Sequence, residues 1–279
     1  MSVVVPARNA AGTIDAQLAA LVAQQYQGDI EVIVVDNGSD DGTPVRASAW
    51  SDRLPGLRVL EAHDRIGPGH ARNVGFAAAT NELILMCDAD DVADPAWAQH
   101  LVEALEHSDA AAGGAVSWTG GPLPRAAHPV PFRADMDFLP SFSSCSAAIR
   151  KQTWKAVGGF DESLLQGEDL DLAWRIQLAG FRLTSEPRGF VSYREPSSAM
   201  GVFRKWIKYG QCQVRLAAKH HDAGLRSERL WKVSARWVVL VLTSYRLLGR
   251  TPARRLWARD AGRRVGRLIG SVRQRTWYP

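Results

Sequence analysis

An α/β fold, with a mostly parallel central sheet flanked by helices and a basic helical C-terminal region, is what this sequence predicts. Three observations lead there. Apolar runs of strand length alternate with helical patterns over the first hundred residues, the rhythm of βαβ units. One run, Glu31–Asp36, is apolar on consecutive residues, as a strand covered on both faces would be. After Pro196 the chain turns helical and basic.

The elements follow in order. Ser2–Pro6 reads as a strand, and Gly12–Gln25 as a helix with Ile14, Leu18, Leu21 and Val22 on one face. Glu31–Asp36 is the second strand, Leu57–Ala62 the third and Glu82–Asp88 the fourth. Gly67–Ala79 and Pro95–His107 read as helices. In such sheets ligands bind outside the carboxyl ends of the strands, and two of these strands end in Asp36 and Asp88. Between Gly113 and Pro140, glycine, proline and isolated charges suggest a flexible loop or lid. Structure resumes at Ser144–Trp154, and a helix follows over Gly167–Gly180.

The chain has 279 residues, 46% of them hydrophobic and 23% charged, enough for one large or two small domains. Its three cysteines, Cys87, Cys145 and Cys212, are odd in number and widely spaced, which suggests buried thiols in a reducing cytoplasm rather than disulfides or zinc ligands. No signal peptide is read at Met1, and no apolar stretch reaches the roughly 20 residues of a membrane-spanning helix. The net charge of +5 hides an asymmetry: Val202–Pro279 holds 19 Lys and Arg against three acids, whereas the first 201 residues hold 15 against 26. An acidic body with a basic tail points to a cation site in one and an anionic surface for the other.

Four clusters could carry chemistry. Cys87–Asp91 (CDADD) places three carboxylates in four residues after an apolar strand, and such crowding needs a cation or solvent to relieve it. Hard oxygen ligands suit Mg²⁺ or Mn²⁺ beside a diphosphate. The competing account is an acidic turn in which Asp94 caps the helix that begins near Pro95. Ile33–Thr43 ends a strand in Asp36 and continues through Asn, Gly, Ser and Asp; it suits either a nucleoside contact or a helix cap by Ser39 or Asp40. Gly67–Gly75 (GPGHARNVG) sets Arg72 and Asn73 at a helix start, a possible diphosphate contact or a plain loop and surface helix. Gly158–Ile176 brings Glu168 and Asp169 to another helix start, where they could complement the dipole or supply a general base. No GxGxxG follows the first strand, so a dinucleotide-dependent oxidoreductase is disfavoured.

Taken in order, VVVPARN, VIVVDNGSDDGT, GHARNVG, CDADD, GGFDESL and GEDLDLAWRI resemble glycosyltransferase family 2, the inverting nucleotide-sugar enzymes of the GT-A fold, over roughly residues 1–195. The resemblance implies roles. Pro6 and Asn9 would lie beside the nucleotide, Asp36 would bind its base, and Arg72 would lie near the diphosphate. Asp88 and Asp90 would hold Mn²⁺ or Mg²⁺ with the donor. Asp169 would be the catalytic base, Glu168 would contact the acceptor, and Ser144 and Ser146 would face sugar and acceptor. It further implies a UDP-sugar donor, a glycan or lipid-linked acceptor, a catalytic domain over 1–198 and an accessory region over 199–279.

Two departures stand out. Many family members carry a metal-ligating His in the strand after the base-bearing helix; here Tyr193 and Arg194 stand near that place. Three accounts stay open: an extra metal-bound water, positive charge supplied to the diphosphate by Arg194, or failure of the match there. The QxxRW motif of processive synthases is also missing, which favours addition of one or a few sugars. A non-catalytic nucleotide-sugar-binding scaffold is the rival reading.

The basic tail carries Trp206, Trp231, Trp237, Trp257 and Trp277, with Leu225, Leu230, Val233, Trp237 and Leu240 at helical spacing. Part of it is expected to pack and part to touch an anionic membrane, placing the protein on the cytoplasmic face of the cell membrane; nucleic acid is the disfavoured partner.

Overall fold

The computed structural model describes residues 1–119, 123, 130–131, 136–226, 228 and 230–278. Two compact units make up the chain: Met1–Ala134 with Leu139–Arg194, and Asp135–Phe138 with Glu195–Pro279.

The first unit runs β1 (Ser2–Ala7), α1 (Ile14–Val22), β2 (Glu31–Asp36), α2 (Thr43–Ser48), β3 (Leu57–Glu61), α3 (Pro68–Ala78), β4 (Leu83–Met86), β5 (Val92–Ala93), α4 (Trp97–Leu105), β6 (Ala110–Trp118), β7 (Val130–Pro131), β8 (Ala147–Arg150), α5 (Lys151–Ala156), α6 (Glu168–Leu178) and β9 (Leu183–Arg194). The strands form one sheet in the order β3-β2-β1-β4-β8-β6-β9-β5, with β7 beside β6. β3, β2, β1 and β4 are parallel. β8 then enters antiparallel between β4 and β6, and β9 returns parallel to β6.

The consecutive apolar residues of β1 and β2 have a direct reason. Val3, Val5, Val32 and Val34 join one buried cluster with Ile14, Leu18 and Trp97; Val4, Ile33 and Val35 join the cluster on the other face with Phe76 and Leu172. Strand side chains alternate between faces, so a sheet covered on both needs an apolar residue at every position. Gly75 lets α3 approach closely, since a Cβ there would overlap Val4.

Several boundaries differ from expectation. The strand expected over Glu82–Asp88 stops at Met86, which leaves Asp88 in a turn. Gly113–Trp118, expected within a loop, belongs to β6. Of the remainder of that loop, residues 120–122, 124–129 and 132–135 lie outside the described residues. The residue at the cap of α2 is Gly42 rather than Ser39 or Asp40; just ahead of it the Asp41 carboxylate accepts from Thr43 N at 3.0 Å and from the Thr43 hydroxyl at 2.5 Å. Asp94 accepts from Ala96 N at 3.0 Å and closes the turn ahead of α4, which begins at Trp97. All three cysteines are buried and form no disulfide with one another.

The second unit holds α7 (Ala199–Lys219), α8 (Leu230–Leu242), a 3₁₀ turn (Ser244–Leu248) and α9 (Thr251–Gln274). α7 and α9 pack backbone to backbone. A Cβ on Gly210 would overlap Arg263 O, and one on Gly266 would overlap Ile207 O. The buried Arg267 is satisfied by Gln213 at 2.7 Å and Glu228 at 3.0 Å. None of the described helices is long and apolar enough to cross a membrane.

Candidate active site

The sequence-predicted acids gather at the carboxyl ends of the parallel strands. Past β4 the chain turns, and oxygens of Asp88, Asp90 and Asp91 all lie within 4.8 Å of one another. In an extended strand Asp88 and Asp90 would share one face and Asp91 would point to the other; the early end of β4 and the turn after it bring all three together. Three carboxylates at this spacing repel one another, and their hard oxygens suit Mg²⁺ or Mn²⁺, so the donor set fits the ion that the sequence suggested. Asp91, which sequence reading assigned no role, is buried at the base of the cluster, where its Oδ1 accepts from Arg194 N at 2.8 Å.

Arg72 joins this cluster to the start of α6. Its Nη2 donates to Asp88 Oδ1 at 2.8 Å and its Nη1 to Glu168 Oε1 at 2.6 Å, and the side chain is buried. Burial alone would lower its pKa, but the charges of Asp88, Glu168 and Asp169 outweigh that and raise it. Arg72 is thus an always-charged clamp between two sets of acids.

Glu168 and Asp169 open α6 because Gly167 adopts the left-handed conformation (φ 74°) just before them. Both carboxylates are buried, where the helix dipole favours their charge. Asp169 Oδ2 accepts from Ser144 N at 3.1 Å and from the Ser144 hydroxyl at 3.4 Å, and Oδ1 from Leu170 N at 2.8 Å. Burial pushes its pKa up, and these bonds and Arg72 only partly offset the rise. Burial and the charge of Asp169 push Glu168 up to about 7.

Asp36 closes β2, beside Ala7 of β1 in register, with Pro6 opposite Val35. It is fully buried. Its Oδ2 accepts from Ser39 N at 3.3 Å and lies 2.7 Å from His63 Nε2, while Oδ1 is buried without a hydrogen-bond partner. Burial raises its pKa, but Ser39 and His63 more than offset this and hold it low, so the carboxylate keeps its charge. An orphaned buried oxygen of this kind is costly unless a ligand donor satisfies it. Asn9, at φ 52°, locks the adjoining loops: its amide donates to Ser39 Oγ at 2.9 Å and its Oδ1 accepts from Asp40 N at 3.0 Å.

Ser144, not Ser146, meets Asp169, and the Ser146 hydroxyl has other partners. That hydroxyl accepts from Trp97 Nε1 at 3.0 Å and donates to Gly189 O at 2.8 Å, so it is spent pinning α4 to the sheet. Tyr193 packs against the hydrophobic core, and Arg194 turns to the acids. The Arg194 Nε donates to Asp90 O at 2.9 Å while its guanidinium lies 4.4 Å from the centroid of the Trp118 ring. Asn73 has a framework role: its Oδ1 accepts from Phe160 N at 2.8 Å, and its Nδ2 donates to Phe160 O at 2.9 Å and Glu162 at 2.8 Å.

Residues 2–155 match the family model described as Glycosyl transferase family 2. The chain belongs to glycosyltransferase family 2. Among curated relatives, it is 30% identical over 238 residues to the pre-mycofactocin glycosyltransferase of Mycobacterium tuberculosis, a match covering 80% of this chain and 48% of that one. This chain therefore spans about half the length of that relative. It is 29% identical to glycosyltransferase AglE of Haloferax volcanii over 77% of this chain and 73% of AglE. Among solved structures, it aligns with the mannosyltransferase PcManGT of Pyrobaculum calidifontis, determined with GDP-Man and Mn²⁺, at TM-score 0.71 and 22% identity over 96% of this chain and 86% of that one. TarS of S. aureus in complex with UDP aligns at TM-score 0.56 and 18% identity over 100% and 92%. These likenesses show the GT-A fold of a family 2 chain.

Proposed function

We propose that this chain is a metal-dependent inverting glycosyltransferase that moves a sugar from a nucleotide-sugar donor to a hydroxyl of a glycan or lipid-linked acceptor at the cell envelope. The observation that carries the reading is the clamp of Arg72, which ties the acidic cluster at Asp88 to the α6 start, where Asp169 stands next to Glu168. A binding scaffold needs no buried base held beside an acidic cluster.

In this reading Asp88, Asp90 and Asp91 hold Mn²⁺ or Mg²⁺, which when bound supplies positive charge to the diphosphate. Asp36 accepts from the nucleobase through its orphaned Oδ1, with Pro6 and Asn9 shaping the neighbouring wall. Asp169, fixed by Ser144 and Leu170, takes the proton of the acceptor hydroxyl as its oxygen attacks the anomeric carbon. The bond to the diphosphate breaks with its electron pair staying on the leaving oxygen, and the configuration inverts. A raised pKa strengthens Asp169 as a base. Glu168 is held by Arg72 for contact with the acceptor. Arg194, with both Nη groups unpaired among the described residues, meets the diphosphate in place of the His found in many relatives.

The donor favoured is a UDP-sugar, on the family resemblance; the neighbouring structures hold GDP-Man in one case and UDP in the other. The catalytic domain comprises 1–198 and the basic helical region 199–279, and the protein works on the inner face of the membrane. The test is nucleotide release from UDP-, GDP- and dTDP-sugars with Mn²⁺, Mg²⁺ or EDTA. Metal-dependent release from one donor, lost in Asp90→Ala, is expected. Absence of both release and metal-dependent nucleotide binding by calorimetry would overturn the donor-site assignment.

A further inference from the structure

The second unit leaves an apolar surface in water. On α8, Val233 and Leu240 face inward and are buried, and Trp257 Nε1 donates to Leu240 O at 3.0 Å. Trp231, Val238 and Leu242 recur at helical spacing on the opposite stripe, with Val241 beside them. These four, with Tyr245 and Leu248 of the 3₁₀ turn, are between 57% and 87% exposed. The second half of α8, Trp237–Leu242, carries no polar side chain, and contiguous exposed apolar patches mark binding surfaces.

The charge beside the patch says what kind of surroundings. From Leu230 to Arg259 the sequence holds seven Lys and Arg and no acid. Arg255 pairs with Glu195 and Arg236 with Glu228. Among the described residues Arg246, Arg250 and Arg254 have no ion-pair partner, and Arg250 and Arg254 are exposed. Exposed aliphatic residues followed within a few positions by unpaired Arg suit the acyl boundary and anionic headgroups of a bilayer. A nucleic-acid backbone would use the Arg and leave Val238, Val241 and Leu242 wet. α8 has 13 residues and cannot span a bilayer, so it would lie in the plane of the interface.

We infer that the exposed face of α8 and the following turn is a docking surface for anionic lipid. It stands on the second unit alone and does not depend on the transferase reading.

The experiment is co-sedimentation of the full chain with phosphatidylcholine vesicles and with vesicles containing phosphatidylglycerol. Binding to the anionic vesicles is expected, with a loss of about tenfold or more on adding 0.5 M salt or in Arg250→Glu/Arg254→Glu. Val238→Glu/Leu242→Glu should lose binding while keeping the wild-type circular dichroism. Quenching of wild-type tryptophan fluorescence by brominated lipid gives a second readout that needs no variant. Three results would overturn the inference: no binding to anionic vesicles; binding untouched by both double variants; or self-association or duplex DNA binding that Val238→Glu/Leu242→Glu abolishes, without vesicle binding.

Discussion

Asp169 is the residue whose chemistry is most exposed to test. It is buried, held by Ser144 and Leu170, and shifted upward by burial. Asp169→Asn keeps the size and removes the proposed base, so turnover should fall about 10²–10⁴-fold while nucleotide affinity by calorimetry stays near wild type. Because the carboxylate must be ionised to accept a proton, the acid limb of the rate profile should lie above the ordinary Asp range. An unperturbed limb, or turnover that survives Asp169→Asn, would remove the base from this position. Arg194 makes a separate prediction: Arg194→Met should weaken UDP binding about 10- to 100-fold, on the scale of charge-assisted hydrogen bonds, and leave UMP binding unchanged. His70 carries a stability prediction. It lies 2.9 Å from Asp64 and 3.1 Å from Glu162. Burial alone would lower its pKa, but the two carboxylates outweigh it and raise the folded value above 6.5. Its contribution is therefore full below pH 6.5 and fades as pH rises through the folded value. His70→Gln should cost a few tenths to about 1 kcal/mol at pH 6 and less at pH 9 in urea unfolding. An equal cost at both would mean the charge of His70 is not what matters.

Among the elements, legibility in the sequence followed burial. β2 is observed at the expected bounds, Glu31–Asp36, because a run buried on both faces has no polar residue to blur its ends. The helix starts expected at Gly12, Gly67 and Pro95 lie ahead of the observed Ile14, Pro68 and Trp97, because turn residues precede the first helical residue. Gly113 misled for a definite reason. Glycine is a loop signal in sequence, yet a Cβ there would overlap Ser146 Oγ and the Gly189 backbone, so it marks a close approach inside a sheet. The candidate site was legible where local motifs carried it: Asp36 ends β2, Asp88 lies in the turn just past β4, and Glu168 and Asp169 open α6. The entry of β8 antiparallel beside β4, and Arg194 reaching Asp90 and Asp91 from over a hundred residues away, were not legible, because no short window contains both partners. The α7–α9 pair gives this scale its test. Gly266→Leu must push apart two backbones already in contact and should destabilise by about 1–3 kcal/mol in chemical denaturation. Gly12→Ala, which meets nothing within 4 Å, serves as the near-neutral control.

At the scale of the whole molecule, stability should be linked to what the acidic cluster binds. Asp88, Asp90 and Asp91 crowd like charges within 4.8 Å, and Arg72 supplies a counter-charge to Asp88 while it also serves Glu168. The protein without metal therefore carries repulsion that a divalent cation relieves, and a nucleotide adds a second binding term. A ligand at 100 times its Kd stabilises by about 2.7 kcal/mol. For a chain of this size that is about 5–10 °C in Tm. Mn²⁺ with UDP should produce a shift of that order, EDTA should erase it, and UMP should give less. Asp90→Ala separates the two contributions by sign. In EDTA it removes a repelling carboxylate and should leave Tm unchanged or raise it; with Mn²⁺ and UDP the shift should disappear. If instead Asp90→Ala lowers Tm in EDTA and retains the Mn²⁺ response, the cluster is a structural acidic turn, and the metal, if it binds, binds elsewhere.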